Sequence, residues 1–286
     1  MKNKTKNIII ILCATVVLIA LIFWTVWGNT ALQLNTYTIA DDEIPNTFDG
    51  YKIAQVSDLH NAQFGNSNEE LLDMLKGAEP DIIAITGDLI DSRRTDVDVA
   101  VEFVKKAVEI APCYYVTGNH ECRVQEYYTL KEQLLTLGVE ILECESIELE
   151  RGDDTITLLG IDDPSFDTDY DVCGYATTVD NELSFLAPKS DKYTVLLAHR
   201  PEHFEVYVSH NIDLALCGHA HGGQFRLPLV GGLFAPDQGF LPKYDAGLFS
   251  ENDTDMVVST GVGNSIFPFR FNNRPEVVVV ELKAEK

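Results

Sequence analysis

The residues best equipped for chemistry in this chain are histidines, aspartates and one asparagine that recur directly after apolar runs. His219 and His221 stand one residue apart in Gly218-His219-Ala220-His221-Gly222-Gly223, just beyond Leu214-Ala215-Leu216. Asp58-Leu59-His60, Gly87-Asp88-Leu89-Ile90-Asp91, Gly118-Asn119-His120-Glu121 and His199 follow earlier apolar runs in the same way. Neutral imidazole is the commonest metal ligand. Carboxylates, imidazoles and one amide oxygen together suit a pair of borderline divalent cations such as Mn, Fe or Zn, whereas Ca or Mg prefers an all-oxygen shell. Each residue also has an ordinary reading: Asp58 as a helix cap, Asp88 and Asn119 as turn residues, His199 as a hydrogen-bonded core histidine. Those readings leave unexplained why every cluster closes an apolar run.

The runs that deliver these residues read as strands. Residues 51–57 alternate, while 81–86, 113–116, 193–197 and 212–216 are mostly apolar and read as further strands. Helical spacing predicts helices over 68–75, 97–110, 124–137, 180–186 and 201–208. Strand followed by helix implies a parallel sheet with crossover connections, and ligands of such sheets bind outside the carboxyl ends of the strands. After residue 139 the pattern changes to strands at 146–150 and 155–159 around the turn Arg151-Gly152-Asp153-Asp154, with late β segments at 256–260 and 276–281. The whole is an α/β protein in which two sheets pack together with helices outside.

At 286 residues, 45% apolar and 23% charged, the chain can bury a full core. A net charge of −24 repels phosphate backbones and anionic headgroups at long range, so a nucleic-acid-binding surface is not expected, and a phosphate substrate requires local cations. The six cysteines contain no CxxC pair, which argues against a structural zinc site. Cys113 with Cys122, or Cys144 with Cys173, could pair in an oxidising compartment.

Lys2, Lys4 and Lys6 precede the run from Ile8 to Trp27, in which Cys13 is the only ionisable side chain. About 20 such residues match the hydrocarbon thickness of a bilayer, and Trp24 and Trp27 suit the far interface. A cleaved signal peptide has an apolar core of roughly 7 to 15 residues and a small-residue cleavage site, to which Asn29-Thr30-Ala31 is a poor fit. Four segments result: 1–7, a short basic cytoplasmic stretch; 8–27, an uncleaved transmembrane anchor; 28–50, a linker with an edge strand; and 51–286, the main domain. The lysines keep the N-terminus in the cytoplasm and place the domain across the cell membrane, single-pass.

With Asp58-x-His60, Gly87-Asp88-x-x-Asp91, Gly118-Asn119-His120-Glu121, His199 and Gly218-His219-x-His221 in this order, residues 51–282 resemble the calcineurin-like metallophosphoesterases. Gly160-Ile161-Asp162-Asp163-Pro164 and the stretches 218–228 and 261–276 look most like the membrane-anchored bacterial, phosphodiesterase-like branch. The resemblance implies a four-layer α/β/β/α sandwich of two mixed sheets. It also implies two ions, one held by Asp58, His60, Asp88 and His221, the other by Asp88, Asn119, His199 and His219. His120 then meets the substrate and stabilises or protonates the leaving oxygen, while Asp91 and Glu121 orient a ligand or His120; a plain loop role for Asp91 stays open. Ions roughly 3.5 to 4 Å apart share a carboxylate and a hydroxide and stabilise both attacking and leaving oxygens, so no Ser or Cys nucleophile is needed.

The expected activity is hydrolysis of a phosphodiester or phosphoanhydride, on a cell-envelope or lipid-linked substrate, by a dinuclear phosphohydrolase. The alternatives are a broad phosphomonoesterase and a non-catalytic, metal-stabilised binding module; the latter should lack Asp88 or His120, and both are present. No protein partner follows from the sequence. His203 and His210 read as ordinary surface or helix residues, and Cys122 and Cys217 as packing residues. Arg200, Arg226 and Arg270 could each reach a phosphate or simply be solvated. The loop 227–244, rich in glycine, proline and aromatics, is long enough to form a substrate lid or an apolar rim.

Overall fold

The computed structural model describes residues 2–166, 175–186, 192–264 and 267–285. Its first element is a long apolar helix, α1 (Lys2–Thr30), which takes in the lysine-bearing residues before the apolar run and three residues beyond it. None of its apolar window is buried against the rest of the chain, and it is long and apolar enough to cross a membrane.

The chain then builds the first sheet and its crossovers: β1 (Gln33–Asp41), β2 (Lys52–Val56), α2 (Glu69–Ala78), β3 (Ile82–Thr86), α3 (Val97–Ala107), β4 (Cys113–Val116), α4 (Glu126–Thr136) and β5 (Glu140–Ile141). A hairpin follows, β6 (Glu145–Arg151) and β7 (Asp154–Gly160), then α5 (Tyr175–Leu186), β8 (Thr194–Leu197), α6 (Phe204–Ser209) and β9 (Leu214–Cys217). The remainder holds four two-residue strands, β10 (Arg226–Leu227), β11 (Gly231–Gly232), β12 (Phe234–Ala235) and β13 (Gly239–Phe240), and then β14 (Gly247–Glu251), β15 (Thr254–Val258) and β16 (Glu276–Ala284).

Two six-stranded mixed sheets result, ordered β1-β16-β2-β3-β4-β5 and β14-β15-β9-β8-β7-β6. Buried residues from both, among them Ile53, Ala84, Val116, Leu158, Val195, Leu216 and Val278, fill the space between them. Helices α2, α3 and α4 cover the outer face of the first sheet through Leu71, Leu75, Phe103, Val104, Leu130 and Leu134. α5 and α6 cover the second through Val179, Leu183, Phe204 and Tyr207. The four layers are therefore α/β/β/α. Because the central strands are covered on both faces, they read as unbroken apolar runs; Val277, Val278, Val279 and Val280 of β16 are all buried.

Helix limits differ from the spacing-based expectation where local backbone chemistry intervenes. The helix expected over 201–208 opens as a 3₁₀ turn, Pro201–His203, and becomes α6 only at Phe204; proline fits the first helical position, where no N–H is needed. The helix expected over 124–137 is α4, Glu126–Thr136; a separate 3₁₀ turn, Glu121–Arg123, precedes it, with Val124 extended between them. The short helix expected over 180–186 begins five residues earlier, at Tyr175. Cys113, Cys122 and Cys144 are free thiols, so the Cys113–Cys122 bridge does not form; Cys173 lies outside the described residues.

β2, β3 and β4 run parallel in one sheet, as do β7, β8 and β9 in the other. Gln55 Nε2 on β2 donates across the sandwich to Cys217 O on β9 (2.9 Å), which sets the carboxyl ends of the two sets beside each other.

Candidate metal centre

The loops leaving β2, β3 and β9 turn sharply within two residues of the strand ends. Asp58 (φ 54°), His60 (46°), Asp88 (52°), His219 (63°) and His221 (48°) all take the left-handed conformation, which costs a non-glycine residue roughly 1–2 kcal/mol. Hydrogen bonds hold this strain: Asp58 N donates to Gly87 O (3.0 Å), His60 N to Asp88 O (3.0 Å) and His120 N to Asp88 Oδ1 (2.8 Å). Glu121 ties the same loops from below, accepting from Asp88 N (3.0 Å), Gly118 N (2.9 Å) and Ile90 N (3.2 Å). Gly118 is required here, since a Cβ on it would lie 2.4 Å from Asp88 N. A cluster of strained residues of this kind persists where the surroundings over-determine it and marks a functional centre.

The strain brings ligand-type atoms together in two groups that share Asp88. In the first, His60 Nε2 lies 3.1 Å from His221 Nε2, 3.4 Å from Asp88 Oδ2 and 3.9 Å from Asp58 Oδ1, and His221 Nε2 lies 3.3 Å from Asp58 Oδ1. In the second, His199 Nε2 lies 3.4 Å from Asp88 Oδ2 and 3.2 Å from His219 Nδ1. Ligand atoms about 2.1 Å from one shared ion stand roughly 3 to 3.4 Å apart, which is the spacing found. The Asn119 amide reaches to 2.9 Å from His219 Nδ1; with its nitrogen turned there it donates to His219, and its oxygen accepts from Arg123 (3.0 and 3.2 Å). A cation at this place reverses that preference, because it draws the amide oxygen toward itself.

The protonation chemistry fits cations as well. Burial holds His60 down to about 3 and His221 well below its usual range, so two neutral imidazole nitrogens face each other beside carboxylate oxygens. His60 Nδ1 is buried without a hydrogen-bond partner among the described residues. Burial also pulls on His199, yet the Asp88 carboxylate and its hydrogen bond push that ring up to about 10. A cation held by His199 Nε2 therefore competes with a proton there. Adding Mn is expected to raise the melting temperature and EDTA to reverse it, with a gain of about 2.7 kcal/mol at a hundredfold excess over Kd. The gain should grow from pH 6 to pH 8 as displacement of the His199 proton becomes easier. A melting temperature indifferent to Mn at both pH values contradicts this.

His120 stands beside the first group and converges with His60 and Asp91 in a further cluster of donor atoms. Its Nδ1 accepts from Ser92 N (3.0 Å), which leaves the proton of the neutral ring on Nε2, 4.0 Å from Asp88 Oδ2. Burial lowers its pKa. Asp91, 3.9 Å from His120 Nδ1, is engaged mainly by Arg93, whose N–H (2.8 Å) and guanidinium (3.2 Å) donate to it.

Several supporting residues carried no sequence signal. Ser57 Oγ donates to Asp58 Oδ2 (2.6 Å), and His199 Nδ1 donates to Thr86 O (2.8 Å), aiming Nε2 at the site. His219 Nε2 donates to Asp237 Oδ2 (3.0 Å); this hydrogen bond, with Arg200 nearby, holds Asp237 well below the usual carboxylate range. Arg200 is buried against Asp163 (2.7 and 3.1 Å) and Asp237 (2.8 Å), and Arg226 pairs with Asp245 (2.9 Å). Arg270 is fully buried, donating to Thr260 O (2.7 Å) and Asn264 Oδ1 (3.0 Å), with its NH2 3.5 Å from His221 Nδ1. All three arginines therefore brace the fold. His203 is buried, and His210 pairs with Asp180 (2.8 Å) away from the centre.

Beneath Asn119, Thr117 Oγ1 donates to Asp162 Oδ1 (2.8 Å). Burial, reinforced by Glu143 and opposed by the Thr117 hydrogen bond, pushes Asp162 up to about 7. A carboxyl raised in the folded state binds its proton more tightly there than in the unfolded chain. Its contribution is present below about pH 4 and is lost as pH rises through 7. Asp162→Asn keeps the acceptor oxygen and is expected to stabilise the protein by about 2 kcal/mol at pH 8, a figure discounted for the partial solvent access of this side chain. The gain at pH 5 should be smaller; equal gains at the two pH values in thermal melts contradict the assignment.

A family model described as calcineurin-like phosphoesterase matches residues 51–223, a span that holds every ligand-type residue of the two groups and His120. The uncharacterized metallophosphoesterase YkuE of Bacillus subtilis is 27% identical over 259 residues, covering 88% of this chain and 86% of its own. Phosphodiesterase YaeI of Escherichia coli is 29% identical over 237 residues, covering 81% and 82%. A transmembrane protein with metallophosphoesterase domain from Bos taurus is 28% identical, covering 88% of this chain and 57% of its own length. Among solved structures, TT1561 of Thermus thermophilus superposes with a TM-score of 0.51 at 14% identity, covering 74% of this chain and 89% of its own; the likeness is one of fold.

Proposed function

The chain belongs to the calcineurin-like phosphoesterases, and from that premise we propose that it is a membrane-anchored, two-metal hydrolase of phosphodiesters or phosphoanhydrides. The observation that carries this reading is the pair of buried donor groups sharing Asp88, in which lone pairs face one another with too few protons to satisfy them. Asp58, His60, Asp88 and His221 are assigned to one ion, and Asp88, Asn119, His199 and His219 to the other. Their mixture of carboxylate, imidazole and amide favours Mn, Fe or Zn. When bound, two such ions supply Lewis-acid stabilisation of phosphoryl charge and an activated water.

The chain's own side chains do the rest. Asp88 holds both donor groups in register, and Glu121 fixes the loops of Asp88 and Gly118 through three backbone N–H groups. His120, its Nδ1 engaged by Ser92, presents the Nε2 proton to the leaving oxygen. Asp237 and the carbonyl of Thr86 hold His219 and His199 in the tautomers that leave Nδ1 and Nε2 free for ligation.

The preference for diesters is supported by similarity to the relative named a phosphodiesterase, and anchoring by α1 together with the relative named a transmembrane protein. The lysines before the apolar run favour an extracytoplasmic domain, and with it a cell-envelope or lipid-linked substrate. The test is Mn-reconstituted full chain assayed on bis(p-nitrophenyl) phosphate and p-nitrophenyl phosphate. Metal-dependent release, faster from the diester, is expected. Faster release from the monoester replaces the diesterase assignment with the monoesterase one, and no release from either by folded, metal-loaded protein overturns the hydrolase reading.

A further inference from the structure

We infer that the end of the fold bearing the metal centre is a bilayer-docking surface, formed where α1 enters the domain and extended by the apolar tips of the loops beside the site. The inference rests on the anchored reading of α1. The topology argues first. β1 begins at Gln33, with only Ala31 and Leu32 between it and α1, and pairs in parallel with β16 from Glu276 onward. β16 is antiparallel to β2, with Val278 opposite Gln55, so Gln33 sits at the end of β2 that delivers Asp58 and His60. The apolar helix thus joins the domain on its ligand-bearing side.

The junction is also tied down. The Asn29 side chain exchanges two hydrogen bonds with the backbone of Arg270 (2.9 and 2.6 Å), and the Arg274 guanidinium lies 4.6 Å over the Trp27 ring while its Nε donates to Ala31 O (2.9 Å). With tryptophan at the helix end suited to the membrane–water interface, these contacts hold the domain at interfacial depth. Arg270, gripped through its backbone by the anchor, extends its side chain to His221 of the metal centre.

Next to this junction the loops expose large apolar side chains: Leu229 (108%), Phe240 (83%), Leu241 (63%), Phe267 (46%) and Phe269 (43%). The segments that carry Phe240, Leu241, Phe267 and Phe269 are linked through Phe225 and Leu233. Phe225 packs edge-on against Phe267 (5.7 Å) and Phe269 (5.4 Å), its carbonyl accepts from Leu233 N (2.9 Å), and Leu233 O accepts from Leu241 N (3.0 Å). Large apolar side chains exposed together on the loops at the end of the domain that an apolar helix enters fit acyl chains and headgroups. The consequence is a metal centre that opens at headgroup depth, where a phosphoester attached to a lipid presents its phosphate.

The full chain in brominated phosphatidylcholine vesicles tests this with single tryptophans added at Phe240→Trp and Leu229→Trp, both so exposed that the core is untouched. Leu135→Trp, near the end of α4 that leads to the opposite edge of the sheets, is the reference. The added emission, taken as the difference from the parent protein, should be quenched at both loop positions and spared at Leu135. Quenching at Phe240 and Leu229 no greater than at Leu135 overturns the docking surface. The readout is lipid contact, so that result alongside intact Mn-dependent turnover rejects docking and leaves the hydrolase reading standing.

Discussion

Asp88→Asn is expected to abolish joint occupancy of the two donor groups and to remove Mn-dependent turnover while the protein stays folded. Asp88 Oδ1 accepts the His120 N–H (2.8 Å), and Oδ2 faces His60 Nε2 and His199 Nε2, each at 3.4 Å. Asparagine keeps the oxygen on the backbone donor and turns its NH2 toward both histidines, where it repels any cation. Removing one partner of a buried charge interaction costs about 3–5 kcal/mol, or roughly 10²–10⁴ in an affinity. The shape of the side chain is unchanged, but without metal the protein loses the charge that pairs with His199, so its metal-free melting temperature should fall while the fold persists. Equilibrium dialysis with metal analysis checks this: two tightly held ions in Asp88→Asn contradict the sharing role.

His120→Ala is expected to leave metal content unchanged and to lower kcat by about 10²–10⁴, the usual range for loss of a positioned proton donor. The loss should depend on the ester. For a nitrophenyl leaving group, already stable as its anion, the proton matters less and the deficit shrinks; for an alkyl ester it is full. A structural role predicts the same deficit on both. The comparison of the two leaving groups therefore separates proton donation from a general disturbance of the Asp88 loop, to which His120 is also bound through its backbone N–H.

The ligand-type residues were legible because each follows an apolar strand in sequence, and parallel strands deliver their carboxyl-end residues to a common edge. The sandwich was legible for a related reason: strand and helix alternate in the first half and hairpins appear in the second, as in the observed order of β2 to β5 and β6 to β7. Helix ends were less so. Pro201 opens the segment before α6 as 3₁₀, and the extended backbone of Val124 delays α4 to Glu126, local choices that apolar spacing does not register. The bracing residues were invisible for a different reason. Asp237 meets His219 and Arg200 from a loop of two-residue strands, and Ser92 meets His120 through a backbone N–H, so neither contact leaves a periodicity or a motif. Arg200 and Arg270 illustrate the converse. A cation beside a phosphate site invites a substrate role, and only the three-dimensional partners, Asp163 for one and the carbonyls of Thr260 and Gly263 for the other, show where the charge is used.

The central claim is that two divalent ions sit in the two donor groups that share Asp88. Anomalous diffraction from Mn-loaded crystals tests it most directly. Two peaks roughly 3.5–4 Å apart are predicted, one among Asp58, His60, Asp88 and His221 and the other among Asp88, Asn119, His199 and His219. A single peak, or a peak placed instead among Glu202, His219 and Asp237, where a further set of donor atoms converges, contradicts it.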